Sequence, residues 1–128
     1  MQEENKVAEA VTAAPAAGAA VVSIDDFSKI DIKIGTILSA EPIEGSEKLL
    51  KLSVDFGESA PRQVLSGIAK FVTPEELVGK QCPFVANLPP RQMMGLESRA
   101  MILAARTAEN GCVLLHPAKP LPPGADLG

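Results

Sequence analysis

The sequence predicts an all-β fold: a five-stranded Greek-key barrel with one short helix between its third and fourth strands and a β extension at the C-terminus. Three observations carry this. Apolar residues alternate with polar ones in short runs, most cleanly at Leu50, Leu52, Val54 and Phe56, which is the period-two pattern of a half-buried strand. Turn signals separate the runs, at Glu44-Gly45-Ser46, through Gly57, Ser59 and Pro61, and at Asn110-Gly111. One segment, Thr73-Pro74-Glu75-Glu76-Leu77, opens instead as a helix, with a cap, a proline at the first helical position and acids in the first turn.

The elements follow in order. Residues 1–22 are rich in Ala, carry Pro15 and Gly18, and show no sustained apolar period. They read as an acidic, disordered leader or linker, with nothing that would bury a helical face. Ser23 followed by Asp26 resembles a helix cap, and a turn or two from there should place Ile24 and Phe27 inward. Ile30, Ile32, Ile34, Thr36 and Leu38 then alternate with Asp31, Lys33, Gly35, Ile37 and Ser39 as the first strand. The Leu50 to Phe56 run is the second, Arg62 to Ile68 the third. After the helix, ended by Gly79, Cys82, Phe84, Ala86 and Leu88 mark the fourth, and Ser98 to Ala105 the fifth. Cys112 to Leu115 is a short sixth strand after the Asn110-Gly111 hairpin signal. Five strands with a helix between the third and fourth is the arrangement of the OB-fold. An SH3-like barrel fits the strand spacing too, but not the placed helix.

Composition narrows the function. At 128 residues there is room for one hydrophobic core. No apolar run approaches the roughly 18 residues of a membrane span. The N-terminus is acidic and lacks the basic flank of a secretory signal, and two unpaired cysteines in apolar surroundings suit a reducing compartment. The cytoplasm is the expected location, with no membrane partner. The net charge of −4 is carried by the first 26 residues, which hold five acids against Lys6; the rest holds eleven residues of each sign. The folded part is therefore neutral, and any attraction to an anion must come from a local patch.

No catalytic constellation assembles. His116 is the sole histidine and precedes Pro117; Cys82 and Cys112 sit on strands and read as packing residues. A Cys112–His116 nucleophile pair lacks an orienting partner. The glycines are scattered turn positions rather than a phosphate loop. No enzymatic activity of the chain alone, no cofactor and no metal ligands are expected.

The basic residues are more informative. Lys33 and Lys51 project from polar strand faces, Lys48 and Arg62 open the second and third strands, Arg91 follows the fourth and Arg99 lies on the fifth. OB-folds bind on the face of the second and third strands and on the adjoining loops, so convergence there would make a cationic groove. Ser66 and Asn87 could add hydrogen bonds to phosphates or base edges. Between Asn87 and Ser98, two prolines, Met93-Met94 and Gly95 make a stiff loop with an apolar tip. Met94 reads either as a cover for the barrel end or as an adaptable surface against bases.

At this point a family becomes recognisable. The run Phe27-Ser28-Lys29-Ile30-Asp31-Ile32-Lys33-Ile34-Gly35, then Glu44-Gly45-Ser46-Glu47-Lys48-Leu49, then Arg62-Gln63-Val64-Leu65-Ser66-Gly67-Ile68, then Asn87 to Ser98, resembles the tRNA-binding domain family in order. The resemblance spans residues 23–128. It is nearest to the C-terminal domain of bacterial methionyl-tRNA synthetases and their free-standing beta subunits. It implies an OB-fold that grips tRNA by shape, beside a synthetase catalytic domain or subunit.

By the same resemblance, Lys33, Lys48, Lys51, Arg62, Arg91 and Arg99 would meet phosphates. Ser66, Asn87 and Ser98 would supply hydrogen bonds, with Gln92 and Met94 at the loop. It further implies a homodimer joined through the C-terminal extension, here Cys112, Leu114, Pro120, Leu121 and Pro122, with Phe27 nearby. The family loop commonly reads Pro-Arg-Lys-Met-Arg-Gly where this chain has Pro90-Arg91-Gln92-Met93-Met94-Gly95, so two charges are missing and Arg99 restores one. Two rival readings stand beside tRNA binding: a dimerisation module with weakened RNA binding, and a peptide-binding, export-chaperone-like module.

Overall fold

The structure is a computed structural model that describes residues 20–109 and 111–128. A short helix, α1 (Ile24–Phe27), precedes three strands, β1 (Ile32–Pro42), β2 (Leu50–Asp55) and β3 (Arg62–Ser66). A second helix, α2 (Pro74–Leu77), leads to β4 (Gln81–Val85), β5 (Arg91–Met93), β6 (Leu96–Ser98), β7 (Met101–Ile102), β8 (Ala104–Thr107), β9 (Gly111–Leu114) and β10 (Asp126–Leu127). The main sheet runs β3-β2-β1-β4-β7 and is antiparallel throughout. The Arg99 amide donates to the Gln63 carbonyl (2.9 Å), tying the chain after β6 back to β3. The sheet thereby curls into the nearly closed barrel expected of an OB-fold.

β1 is long because it serves two partners. Ile32 to Thr36 pair with β4, and Thr36 to Pro42 pair with β2. The edge that β2 leaves uncovered, at Ile32 and Lys33, is filled by β10 from the far end of the chain. The bend is made at two places. A side chain on Gly35 would collide with Val54 and Phe56, so only glycine lets β1 lie against β2 there. The register then shifts between Ile37 and Ser39, which is a bulge.

The strand phase differs from the one read from the sequence. Ile37, expected outward, is wholly buried, whereas Leu38, expected inward, is 47% exposed. Ile37 lies before the bulge and shares the core face with Gly35, while Ile34 is buried on the opposite face beside Leu121 and Leu127 of the C-terminal extension. β2 is as expected, with Leu50, Leu52, Val54 and Phe56 all in the core. The core gathers around Phe84, Ile37, Leu77 and Val64, with the Phe56 and Phe84 rings edge to face at 5.3 Å, a geometry worth about 1 kcal/mol beyond burial.

α2 is capped as predicted. Thr73 accepts from the Glu76 amide while the Glu76 carboxylate accepts from the Thr73 amide, and the chain turns out through Gly79 at φ +84°. Ser23 likewise caps α1. However, Ile24 is 77% exposed and Phe27 is exposed too, so α1 buries no residue and the expected inward face is not formed. β4 ends at Val85, leaving Leu88 outside it and exposed. The expected fifth strand is three pieces, β6, β7 and β8, broken at Arg99–Ala100 and at Leu103. The expected loop after β4 contains the β5–β6 hairpin. A hairpin does join β8 to β9, with Gly111 at φ +73°. Asn110 lies outside the described residues, as does the expected leader except for residues 20–22.

Candidate nucleic-acid interface

The β5–β6 hairpin is the most constructed feature at one end of the barrel. Arg91 pairs with Ser98, Gln92 with Glu97 and Met93 with Leu96, leaving Met94-Gly95 as a two-residue turn. Both turn residues have positive φ, +53° and +76°, the backbone that matches strand twist in a tight hairpin. The base is fixed to β3: the Gln63 Nε2 donates to the Glu97 carbonyl (2.8 Å), and the Leu65 amide donates to Ser98 Oγ (3.0 Å). At the tip, Met94 Cε lies 3.5 Å from where a Cβ on Gly45 would stand. The hairpin therefore leans over the β1–β2 turn, and Met94 stays exposed.

The six basic residues singled out from the sequence divide evenly. Lys33 Nζ donates to Asp126 (2.6 Å) and also faces Asp31 at 3.7 Å; the hydrogen bond to Asp126 holds its pKa above the ordinary lysine value. Lys51 pairs with Glu41 at 3.1 Å. Arg62 grips Glu58, and its Nη1 donates to the carbonyls of Ala86 (2.7 Å) and Arg99 (3.1 Å). That hydrogen bond with Arg62 holds the Glu58 carboxyl below its usual range. These three cations are occupied within the chain. Lys48, Arg91 and Arg99 are exposed and make no ion pair among the described residues. They flank the β1–β2 turn and the hairpin base.

The polar residues expected to meet RNA are mostly committed inside the fold. Ser98 Oγ accepts from Leu65 and donates to the Ala100 carbonyl (3.1 Å), at 4% exposure. Asn87 Oδ1 accepts from the Asp31 amide (2.9 Å) and its Nδ2 donates to the Lys29 carbonyl (2.6 Å), which stitches the entry of β1 to the exit of β4. Gln92 is exposed beside Arg91. Ser66 is buried. Among the further exposed residues not singled out from sequence are the cations Lys70 and Arg106 and the half-exposed ring of Phe71. Phe71 carried no signal, because its neighbours Ile68 and Leu77 read equally well as core.

Elsewhere the chemistry is structural. His116 lies beside Cys82 rather than pairing with Cys112: its Nδ1 donates to the Gln81 carbonyl (2.8 Å) and stands 3.6 Å from Cys82 Sγ. Burial pushes the Cys82 thiol up to about 11, the opposite of an activated nucleophile. Among the described residues no three His, Cys, Asp or Glu side chains could hold a metal ion, and no helix is long and apolar enough to cross a membrane.

The C-terminal extension is pinned to the barrel by Gln81, whose Oε1 accepts from the Leu121 amide (2.9 Å) and whose Nε2 donates to the Leu121 carbonyl (2.6 Å). Of the residues expected at a dimer interface, Cys112 and Leu114 pack partly on the core, Leu121 is half-buried, and Phe27, Pro120 and Pro122 are exposed.

Comparison with known proteins gives this geometry a context. Residues 32–126 match the family described as "Putative tRNA binding domain". The methionine–tRNA ligase of Methanocella arvoryzae is 49% identical over 106 residues, covering 83% of this chain and 15% of that enzyme. That of Methanoculleus marisnigri is 52% identical over 116 residues, covering 91% and 17%. The chain thus spans about a sixth of the length of these relatives. Among solved structures, a MetRS related protein from Pyrococcus horikoshii superposes with a TM-score of 0.80 at 37% identity, over 86% of this chain and all of that one. The chaperone CsaA of Bacillus anthracis superposes at 0.77 and 33% identity, over 85% and 100%. With the matched region running from the first strand to the last, and the hairpin, turn and capped helix all inside it, the chain belongs to the tRNA-binding domain family.

Proposed function

We propose that this chain docks tRNA by its shape and backbone charge, and that it assists a methionyl-tRNA synthetase catalytic core in the same polypeptide or a partner chain, in the cytoplasm. The observation that carries this is the meeting of the Met94 hairpin tip with the Gly45 turn, with Lys48, Arg91 and Arg99 exposed and outside any ion pair among the described residues. Three phosphate contacts make a weak site rather than a tight one, since each contributes chiefly through counterion release. Weak docking suffices when a tether raises the local tRNA concentration at a catalytic core.

A second copy of the chain completes the proposal. Leu115, Leu121 and Leu127 line an apolar groove of about 320 Å³ with Ile34 and Pro83, and Leu115 and Leu127 are nearly half exposed. Apolar surface of this kind suits a homodimer contact. Sedimentation should give a dimer, and bulk tRNA at low salt should shift its mobility. Arg91→Ala should weaken that shift; unchanged affinity would remove the site assignment.

The likeness to CsaA supports a second reading, binding of unfolded protein. Unfolded protein that binds without competition from tRNA favours that reading. Mutual competition favours one shared surface.

A further inference from the structure

We propose that the groove between the Ser66–Phe71 segment and strands β7 to β9 is a subsite for one unstacked nucleotide of a single-stranded RNA segment. The proposal rests on the RNA-docking reading above but, Ser66 apart, uses residues not assigned to that site. The groove has a volume of about 540 Å³ and is lined by Ser66, Phe71, Met101, Arg106 and Gly111, among others.

Three independent features point to the same ligand. The first is an aromatic face. Phe71 is 48% exposed, and one side of its ring is seated on Gly111, where any side chain would strike the ring. The ring is thus positioned by backbone and left open to the groove, which suits stacking of a planar base.

The second is an unmatched buried hydroxyl. Ser66 is 7% exposed, and its Oγ has no hydrogen-bond partner among the described residues. Buried polar groups are nearly always satisfied, so one that lines a groove and lacks a partner marks where a ligand's polar edge belongs. A base offers donors and acceptors at its edge for such a group.

The third is charge. Arg106 alternates with Ala105 on β8 so that it and Ala104 line the groove, and it has no ion pair among the described residues. No carboxylate of the described residues lines the groove. A cation without a counterion, next to an open ring, suits a phosphate attached to the stacked base.

The groove also adjoins the docking site. The Ala69 amide donates to the Lys48 carbonyl (3.0 Å), which sets the Ile68–Phe71 turn against the strand entry that bears Lys48. Lys70, exposed, follows in that turn. Lys70 thus lies in the chain between the Lys48 contact and Phe71, where it suits a phosphate of the same RNA segment.

The test is fluorescence anisotropy of a labelled single-stranded RNA tetranucleotide, beside bulk tRNA, with Phe71→Leu and Arg106→Gln. Phe71→Leu should weaken tetranucleotide binding about five- to 150-fold, the range of one lost base stack. Arg106→Gln, at an exposed position that leaves the fold intact, should weaken it and flatten the salt slope by about 0.7. Tetranucleotide affinity unchanged in both variants overturns the subsite. So does a tRNA shift with no tetranucleotide binding, which leaves tRNA docking standing. Displacement of the tetranucleotide by an unfolded peptide alone, and not by tRNA, assigns the groove to peptide and overturns the proposal. Failure of both RNAs to bind overturns the docking reading as well.

Discussion

Arg62 and Glu58 meet in a two-pronged ion pair, Nη2 to Oε2 at 2.6 Å and Nε to Oε1 at 2.9 Å, while the same guanidinium lies 5.1 Å from the centre of the Phe56 ring. The two partners are not equivalent. The Arg62 side chain is 16% exposed and also satisfies two carbonyls, whereas that of Glu58 is 42% exposed. Arg62→Gln is expected to lower unfolding free energy by about 1–3 kcal/mol, because the part-buried Ala86 carbonyl is left unpaired. Glu58→Gln should cost under about 1 kcal/mol, as for an exposed pair. Urea unfolding of both variants separates them; equal losses would mean that the ion pair, not the carbonyl contacts, is what matters.

Acid should destabilise the fold in a defined window. Hydrogen bonds from Arg62 and from the Thr73 amide hold the carboxyls of Glu58 and Glu76 below their ordinary value of 4.5. A depressed carboxyl stabilises the folded state above its unfolded pKa, and that contribution is lost as pH falls through the folded pKa. Melting temperature is therefore expected to hold steady near neutrality and to drop below pH 4.5. The Glu58→Gln, Glu76→Gln double variant should start lower and show a shallower acid drop. An acid limb as steep as in the natural chain would assign the loss to other carboxylates.

Met94 holds a left-handed backbone at φ +53° in the hairpin turn. An unbranched side chain tolerates this at a cost of about 1 kcal/mol, a β-branched one at more. Met94→Asn should raise stability by roughly 0.5–1 kcal/mol, since Asn-Gly is favoured in this turn, and Met94→Val should lower it. The same Asn variant reports on function: if the exposed thioether touches RNA, tRNA binding weakens while the hairpin becomes firmer. Stability and binding rising together would leave Met94 with a structural role only.

Local patterns were legible in the sequence and long-range ones were not. The β2 alternation and the Thr73 helix cap depend on neighbours in the chain, and both form as read. The β1 phase failed at Leu38 because the C-terminal extension buries Ile34 on the outer face of β1, so apolar residues on both faces hide which face meets the core. The β5–β6 hairpin was missed because its turn is Met94-Gly95 rather than a residue pair that signals one. Charge was the least legible. Lys33 meets a carboxylate 93 positions away, so no spacing rule distinguishes it from Lys48, which has none among the described residues.

That distinction sets the last prediction. A cation already paired with a carboxylate neutralises little phosphate charge, so few of the cations condensed on the RNA are released when it binds. Removing the paired side chain also frees the acid, which then repels phosphate. Lys48→Ala, Arg91→Ala and Arg99→Ala should therefore each reduce the salt slope of tRNA binding by about 0.7–0.9. Lys51→Ala should leave the slope nearly unchanged yet still weaken affinity slightly, through the unmasked Glu41. Doubling the change, Lys51→Ala with Glu41→Gln, should restore that affinity. Slopes measured from 50 to 200 mM salt decide the matter. If Lys51→Ala flattens the slope as much as Arg91→Ala does, the internal ion pairs open on binding, and the six basic residues act as one surface rather than as two sets of three.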